Sequence, residues 1–157
     1  MKKRLTAVLL AVLAVFTFAP AASASGPAQL TGIRTGVHNN FERIVLDLNG
    51  QPHDRVQREV TAVADCGSGN PIPVQGTEIL ETMIHYAATY DENFNPTYTG
   101  PRNFVPQGLT NVKNIAFTCD FEATLGIAIG YDDPDSWHKV FTLTNPDRLV
   151  IDVYSYR

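Results

Sequence analysis

The most constraining feature of this chain is two-residue alternation without a sustained helical period. In residues 42–48, Ile44, Leu46 and Leu48 alternate with Arg43, Val45 and Asp47. That pattern suits a strand with one face in a core. Asn49-Gly50 then supplies a turn. Residues 30–37, 55–63, 78–87, 114–118, 123–131, 138–143 and 148–154 are further strand segments bounded by Gly, Pro, Asn or Asp. About eight short strands with polar turns predict an all-β fold, an antiparallel β-sandwich or barrel. Residues 76–85 are ambiguous, because Ile79, Leu80, Met83 and Ile84 would also serve a short helix. Cys66-Gly67-Ser68-Gly69-Asn70-Pro71 reads as a loop, and the polar, aromatic, Pro-containing stretch 89–104 reads as a long one.

The N-terminus has a different character. Lys2, Lys3 and Arg4 precede an apolar run from Leu5 to Phe18, broken by Thr6 and Thr17, and a small-residue stretch ends at Ala22-Ser23-Ala24. These are the parts of a secretory signal peptide in order, with cleavage expected after Ala24. The run is too short for the roughly 20 apolar residues of a membrane helix. No other segment approaches spanning length, and no Cys near the cut offers a lipid anchor. The expected mature chain, residues 25–157, has the size of one ordinary domain. Losing the leader removes three of 12 basic and none of 16 acidic residues, taking the formal charge from −4 to −7. An acidic surface disfavours nucleic acid and anionic lipid, both of which call for clustered cations.

Both cysteines, Cys66 and Cys119, remain after cleavage. In an oxidising compartment such a pair is most simply a disulfide. Closing a loop of about 53 residues is worth roughly 4 kcal/mol on the chain-entropy model. A metal site would need further ligands close to these thiols, and a redox pair is usually Cys-x-x-Cys.

One strand pattern occurs twice. Glu42-Arg43-Ile44-Val45-Leu46-Asp47-Leu48 matches Asp147-Arg148-Leu149-Val150-Ile151-Asp152-Val153. Paired antiparallel, the two copies would set Arg43 against Asp152 and Asp47 against Arg148, with each Val between opposite charges. Ion pairs fixing strand register are the plainer reading, and a ligand-binding role the sharper one.

Around these copies lie Gly32-Ile33-Arg34-Thr35-Gly36-Val37-His38 before Phe41-Glu42-Arg43, the Gly67-Ser68-Gly69 turn, Asp120-Phe121-Glu122 before an apolar strand, and the closing Asn145-Pro146-x-Arg148-Leu149-Val150-x-Asp152-Val153. In order and spacing they resemble the AMIN-like domain of exported bacterial proteins, a relative of the AMIN domain found beside cell-wall amidases and pilus secretins. The resemblance implies a β-sandwich of two similar sheets and a non-catalytic role at the cell wall, with peptidoglycan as the ligand proposed for the AMIN relatives. An amidase or secretin domain is not visible in the sequence.

Residues able to carry chemistry are sparse. His38, His53, His85 and His138 form no His-x-His or His-x-x-x-His pattern. Ser68 lacks the Gly-x-Ser-x-Gly elbow and reads as a turn residue. Asp120 and Glu122, on one face of an extended segment, would lie about 7 Å apart, within the range of paired glycosidase carboxylates. A small hydrolase is therefore the alternative from the enzyme class. Asp132-Asp133-Pro134-Asp135 lacks the Gly and distal Glu of a calcium loop and reads as a turn. No cofactor and no metal is expected. Tyr86, Tyr90, Phe94, Tyr98 and Phe104 gather in and beside the 89–104 loop, where they would cap the sandwich, stack on sugars or anchor a protein partner. With His38 and Arg43, Tyr86, Tyr90, Phe94 and Tyr98 are the candidate binding residues. The leading expectation is a secreted, disulfide-linked domain binding wall glycan or an envelope protein; a partner or inhibitor module using the long loop is a further alternative.

Overall fold

Alternation in the first copy of the repeated strand is realised in full: Glu42, Ile44, Leu46 and Leu48 are buried while Arg43, Val45 and Asp47 are half-buried on the other face. The structure is a computed structural model that describes residues 26–155. The expected leader, residues 1–24, lies outside the described residues. In chain order the strands are β1 (Ala28–Val37), β2 (Phe41–Asn49), β3 (Asp54–Val60), β4 (Val63–Ala64), β5 (Pro71–Ile72), β6 (Glu78–His85), β7 (Ala87–Ala88), β8 (Asn103–Phe104), β9 (Val112–Phe121), β10 (Thr124–Tyr131), β11 (Trp137–Leu143) and β12 (Arg148–Tyr154). The strand count exceeds the expected eight because β4, β5, β7 and β8 have 2 residues each. Segments so short carry no readable period; the longer strands coincide with the segments read from the sequence.

Two five-stranded sheets have the orders β11-β12-β2-β1-β7 and β3-β6-β10-β9-β8. Leu30, Ile44, Leu46, Leu149 and Ile151 of the first meet Leu80, Ile84, Ile115, Leu125, Ile127 and Ile129 of the second in one buried cluster, so the sheets form a sandwich. The ambiguous segment is strand β6, between β3 and β10. It is buried on both faces, which is why it lacks a clean alternation.

The outer faces of the two sheets differ. A flap, residues 61–77 with the β4–β5 hairpin, lies on the β6–β10 face, where Val63, Ile79 and Ala128 form a second cluster with Ile72 and Val74. Cys66 is bonded to Cys119 of β9 (S–S 2.02 Å), fastening the flap. Gly130 lets it seat: a Cβ there would lie 2.7 Å from Val74 Cγ1 and run into the Gln75 carbonyl. Among the described residues no comparable cluster forms on the outer face of the β11-β12-β2-β1 sheet.

Candidate functional site

The open face is laid out by the pairing of the two repeated strands. β2 and β12 are antiparallel with Arg43 opposite Asp152, Val45 opposite Val150 and Asp47 opposite Arg148, the register expected from the repeat. Arg43 Nε and Nη2 donate to the Asp152 carboxylate at 2.7 and 2.8 Å, and the Asp152 side chain is 2 % exposed. The second pair diverges from expectation. Asp47 accepts two hydrogen bonds of 2.6 Å from Arg34 of β1, while Arg148 Nε donates to the Pro146 carbonyl. Arg34 holds the Asp47 carboxyl below its ordinary range against the opposing effect of burial. Between these charges Val150 is buried and Val45 half-buried.

One end of this face carries aromatic rings. The register puts Phe41 opposite Tyr154 and Tyr154 opposite Trp137. Trp137 and Tyr154 stack at 3.7 Å with an 8° interplanar angle, Tyr154 meets Phe41 at 5.0 Å, and Phe41 stacks on His38 at 4.3 Å. The Arg43 guanidinium lies 4.9 Å from the Phe41 centroid and 5.7 Å from that of Phe141. Trp137 is 44 % exposed. Of this group the sequence reading names only His38 and Arg43. Trp137, Tyr154 and Phe41 are missed, because nothing local to them announces that three distant segments abut.

Beyond the ring row, at that end of the sandwich, two clefts of about 110 and 270 Å³ share Thr110 and Ser155. Between them Glu42, on the inner face of β2 and 5 % exposed, accepts from the backbone N–H groups of Thr110, Asn111 and Val112 and from the Thr110 hydroxyl. Burial alone would raise its pKa; the N–H groups of Val112, Thr110 and Asn111 together outweigh that and hold it below the ordinary value. Glu42 thus ties the two sheets together.

The loop aromatics are dispersed. Tyr86 stacks on His53 at 4.0 Å, and Tyr98 on Phe117 at 5.3 Å. Tyr98 and Phe104 pack against the core, and burial raises the Tyr98 pKa. Tyr90 and Phe94 stack at 5.5 Å beside a cavity of about 160 Å³ that Pro27 and Gln29 help to line, with Phe94 80 % exposed.

The carboxylate pair does not assemble as the strand geometry expects. β9 ends at Phe121, and Glu122 and Ala123 form the turn into β10 with positive φ (48° and 55°). Glu122 is exposed at that turn. Asp120 accepts from the Thr89 N–H and hydroxyl and pairs with Arg102 at 3.0 Å. A cleft of about 340 Å³ runs past Asp120, Arg102 and the disulfide. Ser68 donates to Asp65 in a turn, and Asp133 caps the Asp135 N–H in the turn before β11.

A family model for the AMIN-like domain matches residues 28–155. The chain belongs to the AMIN-like family. The match opens on the first residue of β1 and closes just past β12, so the AMIN-like domain and the sandwich coincide. No curated protein and no solved structure matches the chain significantly. AMIN-like domains occur in exported cell-envelope proteins. No helix among the described residues is long and apolar enough to cross a membrane.

Proposed function

We propose that this AMIN-like domain is a secreted, non-catalytic envelope module that binds peptidoglycan on the open face of the β11-β12-β2-β1 sheet. The observation carrying this reading is the asymmetry of the sandwich: a stapled flap occupies one outer face, while the other displays rings and internally paired charges. A domain with no binding duty on a sheet has reason to cover it or make it uniformly polar. Against a hydrolase, Asp120 has its oxygens committed to Thr89 and Arg102 and Glu122 sits away at a turn. A paired-carboxylate mechanism needs both groups facing one substrate. The net acidity of the chain argues against nucleic acid and anionic membrane as partners.

Sedimentation with purified peptidoglycan tests the reading. The protein should pellet with the wall fraction, and protein left in the supernatant at low salt would end the proposal. Export is tested separately by N-terminal sequencing of material from the medium or periplasm, which should begin at Ser25.

A second reading rests on Phe94. Its φ of 61° holds an exposed ring outward on a turn whose Asp91 carboxylate accepts from the Asn93 and Asn95 N–H groups. Such a ring fits an envelope-protein partner. Phe94→Ala should leave wall sedimentation unchanged and abolish cross-linking to such a partner.

A further inference from the structure

We infer that Trp137 is a sugar platform, the subsite for one pyranose ring of an uncharged N-acetylhexosamine chain. The inference rests on the wall-binding reading and gives it a residue-level site. Trp137 opens β11, which among the described strands pairs with β12 alone and so forms a sheet edge. One face of its indole is against Tyr154 at 3.7 Å, and 44 % of the residue is exposed. Behind it the row continues with Phe41, tilted 40° against Tyr154, and His38, stacked on Phe41, and Arg43, itself fixed by Asp152, lies over Phe41. The ring is therefore held before any ligand arrives, so binding costs little in lost rotamer freedom.

The chemistry of the surroundings selects the ligand. Arg43 and Arg34 are each neutralised by a bidentate carboxylate; among the described residues Lys139 and Arg148 are the remaining cations of this face, opposite Asp152 and Asp47 in the register, too few for the phosphates of a polyanion. Charged residues interrupt the rings, so no broad apolar patch is offered to a protein core. What remains is an aromatic face beside polar groups, which matches the C–H face and hydroxyl edge of a pyranose. Lys139, two residues on along the same strand face with its amino group 5.3 Å from the Phe141 centroid, can donate to a hydroxyl or acetamido oxygen.

Trp137 is the chain's only tryptophan, so its emission reports the site without a label. On titration with the tetramer of N-acetylglucosamine, the emission should shift and become protected from iodide. Unchanged emission and quenching would overturn the platform. A shift with protein concentration in the absence of sugar would also overturn it, by assigning the face to a second copy of the chain.

With peptidoglycan, Trp137→Ala should weaken sedimentation by about tenfold and Trp137→Phe by much less, with thermal unfolding used to check that both fold. Equal pelleting of wild type and Trp137→Ala would overturn the platform yet leave wall binding standing. A wild type that responds to the tetramer and fails to pellet would instead remove peptidoglycan and keep the sugar site.

Discussion

Glu42 and Arg43 are neighbours in sequence whose side chains leave β2 on opposite faces, and each is decided by what it meets there. Glu42 enters the sandwich and is stabilised as an anion by three backbone N–H groups and a hydroxyl. Glu42→Gln places an amide N–H₂ where only an acceptor fits, and should lower stability by about 3 kcal/mol in chemical denaturation. Because the folded carboxyl titrates below its unfolded value, the native state binds fewer protons. Its stabilisation is fully present above the unfolded pKa of about 4.3 and is lost as pH falls through the folded value. Wild type should therefore lose stability more steeply than Glu42→Gln below that pH. The two Arg–Asp pairs on the outer face should separate by burial. Arg43→Ala strands a carboxylate that is 2 % exposed, while Arg34 has a side chain 61 % exposed and a partner at 28 %. The expected losses are about 2–3 kcal/mol for Arg43→Ala and under about 1 kcal/mol for Arg34→Ala, read from denaturant midpoints.

At the level of elements, the flap and β10 depend on each other. Gly126, Ala128 and Gly130 alternate with Leu125, Ile127 and Ile129, so β10 has a bulky inner face and a small outer one. The small face admits residues 61–77, and Gly130→Ala would drive a methyl group into Gln75 and Val74. That change should cost about 1–3 kcal/mol in thermal or chemical unfolding. The Cys66→Ser/Cys119→Ser double variant should lose about 2–4 kcal/mol. Amide exchange should rise first in the flap, with the β2–β12 ladder protected longest, since only the flap is tethered by that bond. β10 is legible as a strand from its bulky residues; the purpose of Gly130 is not, because the segment that meets it, Val74 and Gln75, lies some 55 residues earlier in the chain.

For the molecule as a whole, a face whose Arg34 and Arg43 are internally paired, and whose proposed contact is an aromatic ring, implies binding that resists salt. Sedimentation with peptidoglycan should change little between low salt and about 0.5 M NaCl, where the Debye length shrinks to roughly 4 Å; a steep fall would point to charge-driven adsorption. Linear sequence alone establishes the all-β class, the longer strands, the pairing of the two cysteines and, for copies paired antiparallel, the register of β2 against β12. Those follow from local periodicity, cysteine number and complementary charge order, all of which a linear chain carries. It expected the second charge pair at Arg148 and the carboxylate pair at Glu122, and tertiary context overrode both: Arg34 of β1 reached Asp47 first, and a tight turn took Glu122 off the strand. It also treated the aromatics of the 89–104 stretch as one group. Only strand order disperses them and assembles Phe41, Tyr154 and Trp137 in one row. A period of two says which face a residue takes on its own strand. Which strand lies alongside is settled by how two sheets bury their apolar sides, and that is a property of the folded whole.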